Sequence, residues 1–185
     1  MALAVLLLRF LRTDASRVES ISTLPAQSGL FEALESDECY LYYSVAADRA
    51  ATEIAMLRRA LAAVVPAAGI VRLDPILDVR GASAGIAAPF HYVVETDVLP
   101  EREAEFNRWY DSEHLPGLAA VPGTARASRY RNRETSPRYH ACYDIATPAT
   151  VGSPPWAAVR ATPWSERVRP AFRNTKRTLF RRRAS

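Results

Sequence analysis

The stretch SDECYLYYSVA, Ser36 to Ala46, aligns without a gap on SPRYHACYDIA, Ser136 to Ala146. Serine, tyrosine and alanine coincide at Ser36/Ser136, Tyr43/Tyr143 and Ala46/Ala146, and Val45 faces Ile145. Upstream, Ser22-Thr23-Leu24-Pro25 parallels Glu113-His114-Leu115-Pro116, and Gly29 and Gly123 open the strand-like segments that follow. A common order of weak matches is the signature of an internal repeat. Two copies of one unit are expected, residues 1–80 and 90–183, joined by the small-residue linker 81–89.

Each copy reads as β-α-β-β-α-β. In the second, Phe90 to Val98 alternates as a strand does, and Pro100 opens a helix where a missing N–H costs nothing. Glu101, Glu103 and Glu105 suit the positive end of the helix dipole. Phe106, Trp109, Tyr110 and Glu113 follow helical spacing, and Pro116-Gly117 is expected to stop the helix. Thr124 to Arg131 and Arg138 to Ile145 form a hairpin around the turn residues 132–137. Two cap-proline pairs, Ser153-Pro154 and Thr162-Pro163, start short helices before a last strand, Thr175 to Arg181. The first copy gives strand Ala2 to Leu11, a helix from Ala15 to Leu24, a hairpin, an alanine-rich helix and strand Ile70 to Val79. This is the ferredoxin-like split βαβ unit. Such a unit covers one sheet face with helices and leaves the other to a partner, so two fused copies are expected to pack sheet to sheet as an α+β pseudo-dimeric barrel.

Composition narrows the function classes. With 185 residues, 49% hydrophobic and 24% charged, the chain has the make-up of a globular protein. Cys39 and Cys142 lie in apolar runs and read as buried free thiols of a reducing compartment. MALAVLLLRFLR has no basic residue before its apolar run and is too short to span a bilayer, so a buried strand in a cytoplasmic protein is expected, with no membrane partner. The net charge of +4 comes from arginine, Lys176 being the only lysine, and much of it lies between Lys176 and Arg183. Without a recognition helix, zinc pattern or RNA-binding aromatic motif, that run reads as a solvated strand end, with no nucleic acid expected. No phosphate loop, dinucleotide fingerprint or nucleophile elbow is present, and His91, His114 and His140 lack zinc-ligand spacing. Neither a metal nor an organic cofactor is expected.

Phe106-x-x-Trp109-Tyr110-x-x-x-His114-Leu115-Pro116, then Val121-Pro122-Gly123 and Arg129-Tyr130, resemble the dimeric α/β-barrel superfamily, nearest its EthD-like, polyketide cyclase and muconolactone isomerase-like members. Tyr139, Ala141, Tyr143 and Thr162-Pro163-Trp164 fit the same group, and the resemblance covers roughly residues 90–180. It implies a barrel whose interior takes a small aromatic, polyketide or lactone-type molecule, and a histidine near the end of the first helix, matched by His114, acting as acid or base. The first copy has Thr23 at that place and lacks the aromatic stripe, so one equipped site is expected.

An imidazole ordinarily titrates near neutrality, so His114 suits proton transfer, although a helix-capping histidine has the same spacing. Asp111, one turn earlier, can orient it. Tyr143 or Arg129 can steady an oxyanion. Trp109 and Tyr110 lie on a stripe that packs a core as readily as it binds substrate. Tyr92, Tyr139 and Trp164 complete the substrate-binding candidates. Alternation separates His91, Val93 and Glu95 from Tyr92 and Val94, and His140, Cys142 and Asp144 from Tyr139 and Tyr143, without saying which set faces the cavity. The function expected is a cofactor-independent cyclase, isomerase or dehydratase working as a monomer or homodimer. The alternatives are a cofactor-free monooxygenase on a phenol and a non-catalytic small-molecule or haem-binding protein.

Overall fold

The computed structural model describes residues 2–21, 24 and 29–183. Eight strands close into one barrel: β1 (Leu3–Leu11), β2 (Gly29–Ala33), β3 (Glu38–Ala46), β4 (Gly69–Arg80), β5 (Phe90–Val98), β6 (Thr124–Asn132), β7 (Tyr139–Ile145) and β8 (Phe172–Arg182). Their order around the barrel is β1-β3-β2-β8-β5-β7-β6-β4. The strands of each half thus lie in the split βαβ order, and the halves meet at the β2–β8 and β4–β6 seams. Closure leaves no sheet edge open to a wrong partner. Helices α1 (Ala15–Glu19) and α2 (Ala50–Val64) cover the first sheet. Helices α3 (Glu103–Trp109), α4 (Leu115–Ala119), α5 (Pro154–Arg160) and α6 (Pro163–Val168) cover the second.

Alternation along the strands divides the core into three. In β1, Ala4, Leu6, Leu8 and Phe10 pack under α1 and α2, whereas Val5 and Leu7 point into the barrel. The strand is buried on both faces, which is why its sequence is an unbroken apolar run. Tyr43 and Tyr143, the matched tyrosines of the repeat, both face the helices of their own half. Tyr40, Cys142 and Phe180 lie inside the barrel with Val93.

One end of the barrel is plugged by charge. Glu95, 1% exposed, accepts from Arg9 Nη2 at 2.5 Å and from the Tyr40 hydroxyl at 2.8 Å, and His140 is fully buried beside it. The linker is pinned to the start of β6: Gly81 N–H donates to the Ala125 carbonyl at 2.9 Å and Ser83 N–H to the Thr124 carbonyl at 2.9 Å. A Cβ at position 81 would stand 2.1 Å from the Thr124 carbonyl oxygen. Gly81→Ala is therefore expected to cost about 1–3 kcal/mol, the usual penalty of overpacking. Urea unfolding measures it, and an unchanged midpoint would contradict this packing.

Two sequence expectations are corrected. Helix α1 ends at Glu19, not Leu24; Thr23 and Pro25 of the Leu-Pro comparison lie outside the described residues. Pro116-Gly117 does not stop its helix, which runs on to Ala119 through a π-helical turn, Tyr110–His114. Leu115 N–H donates to the Tyr110 carbonyl, one residue further back than in an α-helix, and this widening makes room for a proline that has no N–H to give. Gly117 has a packing role: a Cβ there would stand 2.9 Å from Val159 Cγ1 of α5.

Candidate active site

The π turn determines which side chains meet. An ideal α-helix turns once in ~3.6 residues, which points residue i+5 away from residue i. In the wider turn Trp109 and His114 fall on one face, and their rings stack at 4.1 Å with an interplanar angle of 21°. Tyr110 meets His114 edge-on at 5.2 Å. Trp109 Nε1 donates to Ser165 Oγ at 3.3 Å, and the Ser165 hydroxyl donates to the Val159 carbonyl at 3.1 Å. Thr162 caps α6 by accepting from Ser165 N–H and donates to Glu113 Oε1 at 2.6 Å. The cap-proline start read at Thr162-Pro163 thus locks α6 onto the histidine-bearing helix.

His114, Trp109, Tyr110, Tyr92 and Tyr143 line one small pocket between these helices and the outer face of the second sheet, with Trp156 as a further wall. Its volume is about 30 Å³, roughly the space of a water molecule or two. Two polar atoms in its wall, His114 Nδ1 and the Tyr143 hydroxyl, are buried with no hydrogen-bond partner. Buried polar groups are nearly always paired, so both atoms have hydrogen-bonding capacity left to meet within this pocket. Three guanidinium groups border the same pocket, Arg160, Arg169 and Arg177. None joins an ion pair among the described residues. Burial, then the neighbouring Arg160 and Arg177, lowers the pKa of Arg169.

The same surroundings act on His114. Burial first, then Arg160 and Arg169, push its pKa down to about 3. His140, in the barrel, is also pushed down to about 3, by burial and then by Arg9. Both are neutral in the folded chain at pH 7. In the unfolded chain each takes up a proton as pH falls below about 6.5, so unfolding gains protons and is favoured by acid. The stability tied to the neutral rings is complete above about pH 6.5 and is lost progressively toward pH 3. Each ring contributes a slope of ~1.4 kcal/mol per pH unit in that window. Urea midpoints between pH 4 and 6 are expected to depend less on pH in His114→Gln by that amount; an equal slope would contradict it.

The other sequence candidates lie apart from this pocket. Arg129 is fully buried: it donates to Asp111 Oδ1 at 2.8 Å and Asn107 Oδ1 at 2.5 Å, and its guanidinium lies over the rings of Phe106, Tyr110 and Tyr139. It ties β6 to the start of the π turn. Asp111 therefore serves Arg129 and leaves His114 unoriented, because the π turn carries the two side chains to different neighbours. Tyr139 donates to Glu103 Oε1 at 2.6 Å and accepts from Asn107. Trp164 is half-buried against the same core. Sequence reasoning missed Arg160, Arg169 and Arg177. The signal was faint: Arg160 and Arg169 flank the Thr162-Pro163-Trp164 start, and Arg177 lies in the run read as a solvated strand end.

Alternation now has its answer. His91, Asp144 and Cys142 line a larger cavity, about 740 Å³, that opens at the other end of the barrel. The histidines do not gather, and among the described residues no three His, Cys, Asp or Glu side chains form a metal-like cluster.

No protein-family model matches the sequence, and no curated protein matches it. Solved structures do. An anthrone oxidase-like protein superposes with a TM-score of 0.70 at 12% identity, over 99% of this chain and 92% of its own. A ferredoxin-fold protein from Listeria monocytogenes, related to antibiotic biosynthesis monooxygenases, gives 0.63 at 9% identity over 100% and 97%. A haem-degrading enzyme from the same species gives 0.60 at 8% identity over 96% and 98%. Matches that run nearly end to end show the same tandem architecture. The chain has the fold of the dimeric α/β-barrel proteins, as its motifs led one to expect. No helix among the described residues is long and apolar enough to cross a membrane.

Proposed function

We propose that the chain is a cofactor-independent acid–base enzyme acting on an anionic aromatic or polyketide-type molecule in the pocket beneath α5 and α6. The observation that carries this reading is the meeting of three arginines, without ion pairs among the described residues, with two unpaired polar atoms on an aromatic-walled pocket. A carboxylate or phenolate answers the guanidinium groups. Its ring lies against Tyr92, Trp109 and Trp156. His114 Nδ1 accepts the proton of an acidic C–H or O–H, and the Tyr143 hydroxyl donates to the oxyanion that forms.

In the empty pocket His114 is a weak base, because burial first, and then Arg160 and Arg169, oppose its protonation. A bound anion offsets that field and raises its proton affinity, so the base strengthens only when substrate is present. The pocket must widen to admit a ring, which requires the side-chain bonds that hold α6 at Ser165 and Thr162 to open. The resulting enolate or phenolate leads to cyclisation, isomerisation or dehydration. A second reading, favoured by the fold shared with anthrone oxidase-like and monooxygenase-related proteins, passes the same anion to oxygen; oxygen consumption separates the two.

Two of the three tryptophans, Trp109 and Trp156, line this pocket, so tryptophan emission reports on it. 1-Hydroxy-2-naphthoate is expected to quench it at concentrations at least about tenfold below those needed for neutral 1-naphthol, the worth of one charge-assisted contact. In Arg160→Met the preference narrows. Equal affinity for the two compounds in the native chain would overturn the reading.

A further inference from the structure

The open end of the barrel carries chemistry that the helix-side pocket does not use. Its cavity of about 740 Å³ falls within the ~300–1,000 Å³ of small-molecule sites. Phe31, Tyr42 and Tyr130 supply aromatic wall and Val5 and Leu77 aliphatic wall. His91 lines it with Nδ1 held at 2.7 Å from Asp144 Oδ1. The ring is clamped between partners, stacked on Phe31 at 4.5 Å and 29° and edge-on to Tyr42 at 5.3 Å. Nε2 has no partner.

The contrast with the plugged end is informative. There Glu95 is answered on both oxygens, by Arg9 and Tyr40, while neither nitrogen of the neighbouring His140 has a partner. Here the carboxylate fixes one imidazole nitrogen and leaves the other unused, the arrangement of an oriented base. Burial would raise the Asp144 pKa, but the His91 hydrogen bond with Arg126 and Arg182 nearby outweighs it and keeps the carboxylate ionised. Arg126 is matched by Asp78 through two bonds, 2.8 and 2.6 Å. Arg182 lies over the Phe31 ring at 4.8 Å and joins no ion pair among the described residues, so the mouth has one cation to spare.

We propose that the barrel mouth is a second small-molecule site, for a phenol, with His91 as proton acceptor. The phenol O–H bond breaks, an N–H bond forms at Nε2, and the phenolate faces the imidazolium–Asp144 pair and Arg182. No other reactant is needed. The aromatic wall selects a ring, and the free cation selects the phenolate over the phenol.

4-Nitrophenol reads this out, since its phenolate absorbs visible light. At a pH just below its own pKa, adding the protein is expected to raise the phenolate band saturably. His91→Gln and Asp144→Asn weaken that binding by about tenfold or more, the worth of a hydrogen bond to a charged partner. Arg160→Met and His114→Ala, altered in the other pocket, keep the saturable band that His91→Gln loses. Loss of the signal in Arg160→Met with retention in His91→Gln would assign the phenol to the helix-side pocket and overturn the proposal. Because His91→Gln can also fail to fold, crystals of the native chain soaked in 4-bromophenol give an independent reading. An anomalous bromine peak beside Phe31 and His91 supports the site, and its absence from the barrel mouth overturns it.

Discussion

Replacing His114 with alanine lowers turnover on an anionic hydroxyaromatic substrate by about 10²–10⁴-fold, the contribution of a positioned acid–base group. The fold survives, because the ring makes no hydrogen bond through Nδ1 and stacks on one partner that is itself anchored, Trp109 through Ser165. Steady-state kinetics with far-ultraviolet circular dichroism measures both. The loss falls mainly on kcat, since the arginines that hold the substrate remain. Unaltered kcat in a folded variant would reduce His114 to a packing residue.

Replacing Glu95 with alanine destabilises the chain by about 3–5 kcal/mol, the cost of breaking a buried ion pair from one side. Glu95 is 1% exposed and is the shared acceptor of Arg9 and Tyr40. Without it a cation and a phenol remain in the barrel with no acceptor, beside a histidine already held neutral by burial. Glu95→Gln keeps one acceptor, turns the other position into a donor and loses the charge, so it falls between. Urea unfolding of the two variants gives the order, and an alanine variant as stable as the native chain would contradict the plug.

The barrel was legible in the sequence because the repeat is written at matched places. Tyr43 and Tyr143, a hundred positions apart, occupy the same strand of each half and face the helices in both. The helical stripe of Phe106, Trp109 and Tyr110 was legible from its spacing, as side chains buried on one face.

The rest depended on geometry that spacing does not encode. Leu-Pro-Gly reads as a helix stop, and only the π turn shows how a proline is carried through and how residues 109 and 114 come to stack. Strand alternation named the two sets of side chains but carried no sign for inside and outside. The expected site residues that do line a pocket line it on the helix side of the sheet, whereas the barrel holds His91, Cys142 and Asp144. The arginines around the pocket come from α5, the segment after α6, and β8, so only the closed tertiary structure brings them together.

The central claim is that the pocket beneath α5 and α6 receives an anionic aromatic molecule. A crystal structure of the chain grown with 1-hydroxy-2-naphthoate tests it most directly. The account predicts the carboxylate against Arg160, Arg169 and Arg177, the ring over Trp109, and the hydroxyl between His114 Nδ1 and the Tyr143 oxygen. A closed, empty pocket at saturating ligand, with both polar atoms still unpaired, would contradict it.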